Sequence, residues 1–136
     1  KAYWEMMEQA RDRKVDEFQG EENGYAEVYD KAFFDKANKL LDDAAKKVAG
    51  APAKYAERLA FTRVGLDYTR LVADLRAAMA KVKKSKDPNA DKQARTLWEQ
   101  IDQLKKKYPD AIRWTMITPG SEYMLRGGGL HPDFMK

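Results

Sequence analysis

The chain has no cysteine and a single histidine, His131, among its 136 residues. Without cysteine there is no disulfide framework, no thiol nucleophile and no cysteine-ligated zinc or iron–sulfur site. One histidine argues against most His-based metal and catalytic schemes. No apolar run approaches the ~20 residues that span a bilayer. No segment has the basic start and apolar middle of a signal peptide. Strong charge bias is missing too: 26 Lys and Arg stand against 22 Asp and Glu, a net charge of +4. Most of these charges are interspersed, as on a solvated helical surface, rather than gathered into the stripe of a nucleic-acid binder. Neither nucleic acid nor a membrane is therefore expected as a partner, and no cofactor or metal is expected.

What is present is a globular composition. Apolar residues make up 43% and aromatic residues 11% of the chain, too many for a disordered segment. The length suits one domain, and chains near 150 residues bury roughly 68–70% of their unfolded surface. The first residues already read as helix and lack an initiator Met. Lys1 is therefore expected to be a cut point inside a longer polypeptide. A secreted or periplasmic location is conceivable where such a parent carries a signal peptide.

Helical periodicity dominates. From Lys1 to about Phe18, Tyr3, Met7 and Ala10 recur at helical steps with Trp4 beside them. Gly20, Asn23 and Gly24 interrupt the pattern before Tyr29. A second helix is expected from Asp30, a residue suited to capping the free N–H groups of a first turn. Its face is Phe33, Phe34, Ala37, Leu40, Leu41, Ala44, Ala45 and Val48, and Gly50 is its natural stop. Ala51-Pro52 opens a third helix of about 32 residues, ~48 Å long, in which Gly65 is the weak point. Its main stripe is Phe61, Val64, Tyr68, Leu71, Leu75, Ala78 and Val82. A second stripe, Tyr55, Leu59, Thr62 and Leu66, covers the first half. The two stripes predict two neighbours along the first half and one along the second. After a turn at Ser85–Pro88, a fourth helix runs from about Asn89 to Tyr108, with Ala94, Leu97, Trp98, Ile101, Leu104 and Tyr108 on its face. Pro109 ends it.

The expected fold is all-α: an antiparallel bundle of about four helices over residues 1–109, with an irregular tail over 110–136. The tail is expected to pack on the bundle or on a parent domain. Its Pro119-Gly120, Gly127-Gly128-Gly129 and Pro132 argue against continuous structure.

Few residue groups suggest chemistry. His131 has only carboxylates as conceivable zinc partners and reads as a tail residue. Arg126-Gly127-Gly128-Gly129 lacks the spacing and the Lys-Ser/Thr ending of a phosphate loop. Lys81, Lys83, Lys84 and Lys86, and Lys105, Lys106 and Lys107, stand at two helix C-termini, where cations offset the dipole. Glu21-Glu22 and Asp42-Asp43 are neighbouring carboxylates. Adjacent helix positions point about 100° apart, and glycosidase acids must face each other across a substrate. No Glu-x-x-His motif supports a di-iron bundle. Glu57, Arg58, Asp67 and Arg70 surround the aromatic part of the third helix and read first as surface or crossing pairs. An enzyme site between helices and tail would use Arg58, Asp67 and Tyr68. The aromatics Tyr3, Trp4, Phe33, Phe34, Tyr55, Phe61, Tyr68 and Trp98 mostly fall on core faces. Tyr25, Tyr29, Trp114 and Tyr123 lie outside those faces and are candidates for contact with another domain or a ligand, carbohydrate included.

Two runs carry a resemblance. One is Ala2-Tyr3-Trp4-Glu5-Met6-Met7-Glu8. The other is Tyr55-Ala56-Glu57-Arg58-Leu59-Ala60-Phe61-Thr62-Arg63-Val64-Gly65-Leu66-Asp67-Tyr68-Thr69-Arg70-Leu71. Between them lies Leu40-Leu41-Asp42-Asp43-Ala44. Residues 1 to about 72 thereby resemble the helical region after the catalytic barrel in bacterial glycoside-hydrolase-like proteins. These share the layout of α-glucuronidases and contain a domain of unknown function. The resemblance implies a non-catalytic accessory module whose partner is an upstream barrel in the same polypeptide, with the catalytic carboxylates in that barrel. A free-standing helical protein-interaction module is the alternative.

Overall fold

The computed structural model describes residues 1–11, 28–85 and 88–111. Among the described residues every regular element is a helix: α1 (Ala2–Arg11), α2 (Lys31–Val48), α3 (Ala53–Ser85) and α4 (Pro88–Lys107). The protein is an all-α bundle whose consecutive long helices run antiparallel.

Local chemistry sets the helix ends. Asp30 caps α2, and its carboxylate accepts a hydrogen bond from the Phe33 N–H at 2.7 Å. Lys46 and Lys47 occupy the last turn of α2, where positive charge suits the dipole. Gly50 then takes φ +82°, the left-handed conformation that reverses the chain. The Ala51 N–H donates to the Val48 carbonyl at 3.0 Å across this reversal. Pro52 stands just before α3, one position earlier than a proline that starts a helix from inside. Pro88 does take the first helical position of α4, where its missing N–H costs nothing.

The core is split in two, and α3 joins the halves. One cluster gathers Met6 and Ala10 of α1, Val28, then Phe33, Phe34, Ala37 and Leu41 of α2 on Leu66 and Ala73 of α3. The other joins Leu71, Leu75 and Ala78 of α3 to Ala94 and Leu97 of α4. Leu66 and Leu75 are nine residues apart, about 900° or two and a half turns. The two clusters therefore lie on opposite sides of α3. Leu75 is the most enclosed large side chain, 1% exposed. The alanines Ala78 and Ala94 beside it let the two helices approach closely.

The stripe reading needs one correction. Val64, Leu71, Leu75 and Ala78 are buried as expected, but Phe61 at the head of the same stripe is 59% exposed. Tyr55, at the head of the second stripe, is 42% exposed. The cause is helix length. Against 33 residues in α3, α4 has only 20. It starts beside the end of α3, so about 13 residues of α3, ~20 Å, extend past it. On the other side of α3, α2 packs through the cluster of Leu66 and Ala73, with Leu59 against it, and α1 packs on α2.

Candidate functional site

The ion pairs lie along helix surfaces. Lys39 donates to Asp43 at 3.1 Å, and Lys46 stands 3.8 Å from the same carboxyl group. The hydrogen bond from Lys39, then the charges of Lys39, Lys46 and Lys47, hold the Asp43 carboxyl below its ordinary value. Asp42 instead reaches across to α3, where the Arg63 guanidinium donates to it at 2.6 Å. Asp42 and Asp43 thus point to different partners, and both carboxylates are engaged. Glu21-Glu22 lies outside the described residues.

Of the residues expected to form a site on α3, Asp67 pairs locally with Arg70 at 3.7 Å. Arg58 is nine residues before Asp67, about 180° round the helix and ~13.5 Å along it. Arg58 and Asp67 therefore project from opposite sides of α3, and the chain does not bring them to one point. Tyr68 is half-buried beside Asp67. Tyr29 packs its ring edge-on to Phe33, with centroids 5.1 Å apart, and against Phe34 at 6.5 Å. It thereby joins the first core cluster. Tyr25, Trp114, Tyr123 and His131 lie outside the described residues, as does the Arg126–Gly129 run.

One small hollow opens between α1 and the start of α2. It encloses about 170 Å³ and is lined by Met6, Gln9, Ala10, Asp30, Phe33 and Lys36 among others. Ligand pockets usually hold roughly 300–1,000 Å³. The Asp30 carboxylate at its rim is already used as the cap of α2. Among the described residues no group of His, Cys, Asp or Glu is arranged to hold a metal ion. No described helix is long and apolar enough to cross a membrane.

The exposed aromatics were not separated from the core by periodicity. On α1, Tyr3, Met6, Met7 and Ala10 face the first cluster. Trp4 lies about 110° round the helix from the middle of that side, and its side chain is left 61% exposed. Its ring meets Tyr3 edge-on, centroids 5.3 Å apart. Tyr3 itself is half-buried, and burial, with Tyr29 nearby, pushes its hydroxyl above the ordinary value. Compared with protein-family models, with curated proteins and with solved structures, the chain matches none.

Proposed function

We propose that this chain is a non-catalytic helical module that docks on a larger protein through the Trp4 side of α1. The partner that best suits the Tyr55–Leu71 run is the catalytic barrel of a carbohydrate-active, glycoside-hydrolase-like protein upstream in the same polypeptide. The single observation behind the docking is Trp4. Its indole is 61% exposed although α1 has a covered side available. Tryptophan is concentrated in the centres of protein interfaces, where its large area is removed from water. Among the described residues, the charged groups expected as sites do not come together. The paired carboxylates Asp42 and Asp43 diverge, and Arg58 and Asp67 do not converge.

Two measurements test this reading. The open reading frame upstream of Lys1 is expected to encode a barrel-length sequence with paired acids, and a stop codon shortly before Lys1 refutes the parent-barrel proposal. Assayed on aryl glycosides and uronides, the isolated chain is expected to be inert. Clear turnover by it overturns the non-catalytic reading.

A further inference from the structure

We draw no further inference here: the strongest candidate, the exposed ring of Phe61 on the overhanging first third of α3, lies beside Glu57 and Lys54 rather than on a continuous apolar stripe, and nothing in the structure shows what covers it.

Discussion

Two glycines in this chain should respond to the same substitution with opposite signs. Gly65 lies inside α3, twelve residues from its start, in ordinary helical conformation. A Cβ built there meets nothing within 4 Å. Alanine loses less backbone freedom on folding than glycine, which favours it by about 0.8–1.0 kcal/mol in a helix interior. The hydrogen bond from the Thr69 hydroxyl to the Gly65 carbonyl, 2.9 Å, uses only backbone at position 65 and survives the change. Gly65→Ala is therefore expected to stabilise by about 1 kcal/mol, or ~3–6 °C in Tm for a chain of this size. A Cβ at Gly50 would also meet nothing within 4 Å, so room is not its constraint. Its φ of +82° is, because a Cβ in that conformation crowds the carbonyl oxygen. Gly50→Ala is expected to cost about 1–2 kcal/mol, and Gly50→Asn less, since asparagine tolerates the left-handed region. Thermal unfolding followed by circular dichroism at 222 nm reads both. A destabilised Gly65→Ala refutes the reasoning, for it means that some other part of the chain rests on the Gly65 backbone.

Three further outcomes follow from burial, capping and titration. Leu75→Ala removes the most enclosed side chain, beside Ala78 and Ala94, which are too small to fill the gap. It is expected to cost about 3 kcal/mol by urea unfolding, and a loss below about 1 kcal/mol contradicts the packing. Asp30→Ala leaves the Phe33 N–H without its partner and is expected to cost about 1 kcal/mol by the same measurement, whereas Asp30→Asn keeps the cap. Tyr3 holds its proton more tightly folded than unfolded. Its contribution is full below about pH 10 and is lost as pH rises from there through the higher folded value. Alkaline unfolding curves of Tyr3→Phe should lack this part of the decline, and identical curves would remove burial of the hydroxyl as its cause.

Sequence legibility varies along the chain for physical reasons. In α2 every local signal agrees: Asp30 caps, Phe33, Phe34, Ala37 and Leu41 form one buried side, and Gly50 reverses the chain. Those features depend on residues within a turn or two, so periodicity suffices. Trp4 and Phe61 are different. Both are apolar at helical spacing, and both are exposed. Spacing gives the direction of a side chain but not the length of the helix that should meet it. Whether Phe61 is covered depends on where α4 stops, which Pro109 decides almost fifty residues away. The separation of Arg58 from Asp67 is legible once α3 is read as one unbroken helix, because nine residues make two and a half turns. Tyr29 is harder, since its place beside Phe33 and Phe34 depends on how the chain enters α2.

The split core explains why a domain of this size keeps aromatic surface. In a bundle of equal helices each apolar stripe meets a partner along its whole length, and the ends finish together. Here the helices are staggered on α3. The α1–α2 cluster occupies one side of it and the α4 cluster the other, with Leu66 and Ala73 interleaved between Val64 and Leu75 where the two overlap. Overlap in the middle leaves remainders beyond it, and Phe61 is one of them. On α1, Trp4 lies about 110° round the helix from the side that meets the first cluster, so it is another. A chain evolving to fold alone could lose either aromatic at little cost to its described core, because neither belongs to a buried cluster. Of the two, Trp4 carries the docking proposal, since a larger partner would remove its indole from water without disturbing the first cluster.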